Sequence, residues 1–436
     1  MKKIFCAILL LTAVNYSSFG QKGLNPIHEK DWFKLDPVKD TIAGISLYKA
    51  YSLLQDRESK PVIVAVIDNG VDIKHDALKN KIWTNTKEIP GNGIDDDHNG
   101  YVDDVHGWNF RGTNDGTVVE NEQAGATQVY LEWVNKKENK VSRKARTVYL
   151  EKVKNSKDSA DLKYAYNSRY NSSKLIANDN GQPGNHSYGS PFIKLSANLS
   201  HGTHVAGIIA GIDSSVLIMP VVASTAVGDE RDKDVANAIH YAADNGAKII
   251  NISFSKIFSS NKEAVDEAVR YAEKKNVLIV HCAGNDGVNI DSAVNYHFPV
   301  AIYDNGSVAT NFITVGWNRP LFDYRLAHPY GDYGKLNVDL YAPGSDIWST
   351  VPDNGYDFKS GSSMSAPVVS GAAALLLSYF PSLTAVQIKN ILIASVFKPD
   401  QMVDKPQTKI PVPFNSLSVS GGILNIYNAV KMALEK

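Results

Sequence analysis

Three short segments of this sequence carry side chains that could act together on an acyl group. Asp68 stands in Val66-Ile67-Asp68-Asn69-Gly70-Val71-Asp72, and His201 in His201-Gly202-Thr203-His204-Val205-Ala206-Gly207. Ser363 stands in Gly361-Ser362-Ser363-Met364-Ser365-Ala366-Pro367. A serine hydroxyl alone is a poor nucleophile. An imidazole within hydrogen-bond reach can take its proton during attack and return it to a leaving amine. A buried carboxylate can hold that imidazole in one tautomer and stabilise the imidazolium. The chain order carboxylate, imidazole, hydroxyl is among those known for this arrangement. A fourth segment, Cys282-Ala283-Gly284-Asn285-Asp286-Gly287, follows an apolar run. The Asn285 amide there could donate to an oxyanion on the attacked carbonyl. The backbone N–H of Ser363, at a helix start, is the expected second donor. Singly, each residue has an ordinary explanation: Asp68 and Asn285 as turn residues, Ser363 as an N-cap, His201 as a loop histidine. Their joint occurrence weighs against four coincidences. His204, one helical turn beyond His201, is expected to be structural.

Chemistry of this kind needs a rigid frame. From Pro61 onward the chain alternates apolar runs of strand length with amphipathic helical patterns. The runs are Val62–Ile67, Val216–Val222, Ala247–Ile252, Val277–Ala283 and Phe312–Val315. Unbroken apolar runs are what parallel strands covered on both faces require. Helices are expected over Asp234–Asn245, Asn261–Lys275, Val368–Tyr379 and Ile426–Leu434. The alternation predicts an α/β fold with one doubly wound, mostly parallel sheet and helices on both faces. Asp68 then falls at a strand C-terminus, where open parallel sheets gather their functional groups.

The four segments, together with Asn251-Ile252-Ser253, Leu340-Tyr341-Ala342-Pro343-Gly344 and Gly422-Ile423-Leu424-Asn425, resemble the signature segments of the subtilisin-like (subtilase) serine peptidases. The resemblance runs in order from about residue 61 to 436. It implies a three-layer sandwich and a secreted endopeptidase that forms an acyl-enzyme on Ser363. His201 would be general base and acid, Asp68 its orienter, and Asn285 part of the oxyanion hole. Ser253, Phe254, Ser255, Ala283 and Gly284 would flank the pocket for the side chain before the cut bond. No acidic residue stands in those segments, so apolar or uncharged side chains are expected there. Asn69 replaces the family's usual Ser or Thr, and Ser362 its usual Thr. The same fold binding peptides without turnover remains the alternative reading.

The interval from Asp68 to His201 is longer than in compact members of that family. An insertion over about 111–199 is expected, with a helix over Tyr130–Lys154 and a loop over Asn171–Leu199, forming a flap near the substrate. Residues 21–60 are too few for an independent domain. They are expected to form an arm packed onto the peptidase domain (61–436) through Trp32, Phe33, Leu35 and Ile45–Leu54.

Charge is nearly balanced, 45 basic against 46 acidic residues, which does not point to a nucleic-acid partner. Lys2 and Lys3, the apolar run Ile4–Val14 and Ser18-Phe19-Gly20 read as a signal peptide over 1–20. Export to periplasm or medium is expected, with a peptide or protein substrate and a monomeric state. After the leader no stretch is expected to cross a membrane. Cys282 alone is left once the leader, with Cys6, is removed, so no internal disulfide is expected. Asp95, Asp97, Asn99, Tyr101 (through its carbonyl) and Asp103 follow the start of a calcium loop, with Gly100 at the sharp turn and His106 in place of the closing Glu. A structural calcium site that is not an EF-hand is expected; the catalytic chemistry needs no cofactor.

Overall fold

The computed structural model of the chain describes residues 30–112, 143–148, 150, 188–193, 199–224, 229–292, 295 and 297–436. The expected leader lies outside these residues. So does most of the expected insertion with its helix, loop and flap, although 143–148 and 150 are helical.

Among the described residues seven strands form one parallel sheet: β1 (Val62–Asp68), β2 (Trp108–Asn109), β3 (Val216–Val222), β4 (Ile249–Ile252), β5 (Leu278–Cys282), β6 (Phe312–Asn318) and β7 (Leu340–Pro343). Their spatial order is β2-β3-β1-β4-β5-β6-β7. After β1 the chain passes to β2 and β3 on one side and then crosses to β4 on the other, so the winding reverses at β1. Crevices open at such reversals, outside the strand C-termini. The described helices are α1 (Leu47–Leu54), α2 (Ser200–Ala210), α3 (Asp232–Asp244), α4 (Lys262–Lys274), α5 (Ser362–Tyr379), α6 (Ala385–Ala394) and α7 (Ile426–Leu434).

The strands are apolar throughout because both faces are covered. Val62, Val64 and Val66 of β1 enter the cluster shared with α1, α2, α5, α6 and α7. Ala65 and Ile67 enter the cluster under α3 and α4. That alternation is the two-residue period of a strand. β4 starts two residues later than its apolar run, and β6 continues through Gly316-Trp317-Asn318, where it pairs with β7. A run of apolar residues marks burial, whereas strand ends are set by where a neighbour stops offering backbone partners.

α5 is long and apolar enough to cross a membrane, contrary to the expectation that no such stretch follows the leader. Its hydrophobicity is that of a core: 89% of the window lies inside the protein. Ser365 donates to the Ala342 carbonyl and Ser378 to Leu375, so its hydroxyls are also satisfied. The antiparallel hairpin of β8 (Ile347–Val351) and β9 (Gly355–Lys359) lies against α2.

The described part of the N-terminal arm contributes to the core rather than lying on it. Trp32, Phe33, Ile45, Leu47 and Leu54 are buried in the same cluster as the central strands. The Trp32 indole donates to the Ser345 carbonyl at 3.0 Å. Asn425, which caps α7, donates to the Ser46 hydroxyl, and Ser46 donates to Asp36. Two described residues within the expected insertion, Arg111 and Tyr188, meet on α3. Both are fully buried, and each bonds the carboxylate of Asp234.

Candidate active site

Asp68 ends β1 and is 1% exposed. Its Oδ1 accepts the Asn69 backbone N–H at 2.8 Å and faces His201 Nδ1 at the same distance; Oδ2 is 3.0 Å from Nδ1. The imidazole comes from the first turn of α2, whose start must approach β1 closely. A Cβ on Gly202 would come within 2.2 Å of the Gly70 carbonyl oxygen and 3.1 Å of Asp68 Cβ, so only glycine permits the approach. The Asn69 side chain bonds the α2 start: its Oδ1 accepts the Gly202 N–H at 3.1 Å. It therefore supports the histidine segment.

Burial works against charge on His201, but the charge and hydrogen bond of Asp68 outweigh it and raise its pKa above the usual value of 6.5. The His201 side chain remains 35% exposed, leaving its other edge open to a reactant. His204 is fully buried, with Nε2 3.0 Å from the Ile347 carbonyl and 3.1 Å from that of Asp357. Burial lowers its pKa to about 4, so it is a neutral structural imidazole, as expected.

Ser363 sits in the first turn of α5, just after Gly361, whose φ is +152°. Its hydroxyl donates to the Ser253 carbonyl at 2.7 Å, and the Ser253 hydroxyl donates back to the Ser363 carbonyl at 2.9 Å. No hydrogen bond joins Ser363 to His201 among the described residues. A buried polar chain fixes this arrangement. Ser370 of α5 donates to Asn251 Oδ1, and Asn251 Nδ2 donates to the Ser253 hydroxyl.

Asn285 is oriented by Ser362, a role the sequence did not suggest. The Ser362 N–H and hydroxyl both reach Asn285 Oδ1, at 2.9 and 3.0 Å. A backbone N–H can only donate, so the atom facing it must be the carboxamide oxygen. The Asn285 NH₂ is thereby turned away, with no partner among the described residues. The Ser363 N–H is likewise without one, as first-turn helical amides are.

The expected pocket residues are divided. Ala283 lines a cleft together with His281, Ile290, His297, Val300 and Val308. Phe254 lines a second, with Val235 and Phe298. Ser253, Ser255 and Gly284 line neither: Ser253 is committed to Ser363, and Gly284 is packed beneath His297. Charged groups absent from the local segments also arrive from elsewhere, as the Asp339–Lys389 and Asp232–Lys256 ion pairs. Cys282 is buried, and burial pushes its thiol up to about 12, so it is inert.

In the acidic loop, carboxylate oxygens of Asp95, Asp97 and Glu88 lie within 4.8 Å of one another. Glu88, outside the sequence pattern, joins two of the expected ligands. Asp103 does not: its carboxylate caps the N–H groups of Gly91, Asn92 and Gly93. Asn99 is also engaged within the loop, accepting from the Tyr101 N–H and donating to Asp104. The Tyr101 ring is buried against Trp108 and Tyr241.

A parallel α/β sheet with a buried carboxylate–imidazole pair and a helix-start serine along one edge defines a serine hydrolase type of architecture. The chain belongs to the subtilase family, peptidase S8, whose model matches residues 59–410. It is 38% identical over 189 residues to a thermophilic serine proteinase of Bacillus sp. (strain AK1), covering 41% of this chain and 43% of that protein. It is 26% identical over 433 residues to subtilisin-like protease 1 of Plasmodium berghei (strain Anka), covering 93% of this chain and 56% of the relative. The chain thus spans about half the length of these curated relatives. In fold it is similar to a lanthipeptide protease, with a TM-score of 0.55 at 22% identity over 95% of this chain and 97% of that one.

The Asp68–His201 pair carries a direct expectation. In an NMR titration His201 should titrate above 6.5 in the wild type and below 6.5 in Asp68→Asn, where burial acts without its counterweight. Equal values in the two proteins would show that the carboxylate does not govern the imidazole.

Proposed function

We propose that this chain is an exported serine endopeptidase that opens peptide bonds through an acyl-enzyme on Ser363. One observation carries the reading: the Asp68–His201 pair, the Ser363 hydroxyl and two N–H donors without partners, on Asn285 and Ser363, all belong to the ends of elements along one sheet edge. Rotation about the Ser363 Cα–Cβ bond would carry Oγ from the Ser253 carbonyl towards His201 Nε2. That exchanges one hydrogen bond for another, a change on the order of 1 kcal/mol. As Oγ bonds to the scissile carbonyl carbon, its proton passes to Nε2 and the carbonyl π pair moves onto oxygen. The Asn285 amide and the Ser363 N–H receive that oxyanion. The imidazolium, held by Asp68, protonates the leaving amine, and an ester remains on Ser363. Water then repeats the sequence and frees the acid.

The substrate class is peptide or protein. The lysine-headed apolar leader supports export. A biotinylated fluorophosphonate probe tests the reading. Folded wild type should be labelled on Ser363, and Ser363→Ala should not; a folded wild type that stays unlabelled would favour peptide binding without turnover.

The proposed reaction uses no metal, but Glu88, Asp95 and Asp97 form an all-oxygen donor set that suits a calcium ion. Calcium at 100 times its Kd would stabilise the fold by about 2.7 kcal/mol. A chelator should therefore lower the Tm of the wild type and leave that of Asp97→Ala unchanged. Identical wild-type melting with and without chelator would remove calcium from the account.

A further inference from the structure

We propose that Asp332 and His297 form a clamp that positions the Gly284-Asn285-Asp286 loop, making both of them positioning residues for the oxyanion donor Asn285. The proposal rests on the reading that Asn285 serves the reaction above.

Asp332 is fully buried and touches the loop on both sides of Asn285. Its backbone N–H donates to the Gly284 carbonyl at 3.2 Å. Its Oδ1 accepts the N–H groups of Asp286 at 3.1 Å and Val288 at 2.8 Å. The second oxygen, Oδ2, lies 2.7 Å from His297 Nδ1, which is also 3.0 Å from the Ala283 carbonyl. His297 Nε2 lies 3.2 Å from Asp286 Oδ2, so the ring spans from the buried carboxylate to the exposed end of the loop.

The clamp packs directly on the backbone it holds. Gly284 has φ +117°, and a Cβ there would lie 1.9 Å from His297 Nδ1 and 2.1 Å from Asp332 Oδ2. A carboxylate in so dry a place is costly unless paired. His297 supplies the pairing: burial opposes its charge, but the hydrogen bonds and charges of Asp286 and Asp332 outweigh that and push its pKa up to about 9. The imidazolium lies against the Asp332 carboxylate, whose other oxygen holds two backbone N–H groups of the loop, and charge-assisted hydrogen bonds of that kind are the strong ones. Although Asp286, His297 and Asp332 have ligand atoms within 4.8 Å of one another, they do not make a metal site. The two carboxylates face opposite ring nitrogens, whereas ligands must converge on one point.

A double-mutant cycle on the full chain tests the clamp, with kcat and KM read on a peptide p-nitroanilide. Asn285→Ala should lower kcat about 10²–10³-fold by loss of an oxyanion donor. Asp332→Ala should lower kcat at least about tenfold through misplacement of that donor, with KM within about twofold. In the Asn285→Ala background Asp332→Ala should cost almost nothing further, since the group it positions is gone. Asp332→Asn keeps an oxygen for the two N–H groups but not the charge for His297, and should fall between wild type and Asp332→Ala. If Asp332→Ala does not fold, the same cycle run with Asp332→Asn and with His297→Gln decides. Losses that multiply in the double variant, in an active wild type, overturn the clamp alone. A folded wild type with no turnover of any peptide overturns the underlying reading and the clamp with it.

Discussion

A carboxylate buried at the end of a central strand must find a partner, and the contact between Asp68 and His201 is the constraint around which the rest of the molecule is arranged. To meet it, α2 has to begin almost on top of β1, which is why Gly202 faces Gly70 without a side chain between them. The sheet then has to be rigid at that edge. It is, because β1 lies between β3 and β4 with apolar layers on both faces. The buried helix α5 carries Ser363 to the same edge and is itself tied to β4 through Ser370, Asn251 and Ser253.

In this structure the Ser363 hydroxyl is bonded elsewhere than to His201. The Ser363 hydroxyl rests on the Ser253 carbonyl, and the His201 side chain is 35% exposed. Catalytic hydrogen bonds commonly tighten only when a reactant is bound, so this resting geometry is compatible with the proposed chemistry. The Asn285 side chain, in contrast, is held by its neighbours. Ser362 bonds the Asn285 carboxamide oxygen, and Asp332 holds the loop on both sides of that residue.

The parts legible in the sequence were those set by local pattern. Apolar runs located β1 and β3 to within a residue, and periodicity located α3, α4 and α7 to within two. The residues around Asp68, His201, Ser363 and Asn285 were legible because their order and types form a recognisable set. What escaped was decided by contacts between distant segments. Glu88 reaches the Asp95–Asp97 pair only after the loop folds back, and Asp103 is drawn off by the amides of Gly91 to Gly93. His297 and Asp332 carry no local signal; only the fold brings both against Gly284. α1 and α6 were also missed: α1 is short and carries no side-chain cap, and the capping box of Thr384 and Gln387 that starts α6 went unread.

The most direct trial of the whole account is a crystal structure of the protein phosphonylated on Ser363, which mimics the tetrahedral intermediate. The account predicts a phosphonyl oxygen about 2.7–3.1 Å from both the Asn285 amide nitrogen and the Ser363 backbone nitrogen. It also predicts His201 Nε2 on the opposite side of the phosphorus, against the Ser363 oxygen or the leaving position. An adduct whose oxygens all face solvent, with the Asn285 amide directed elsewhere, would contradict it.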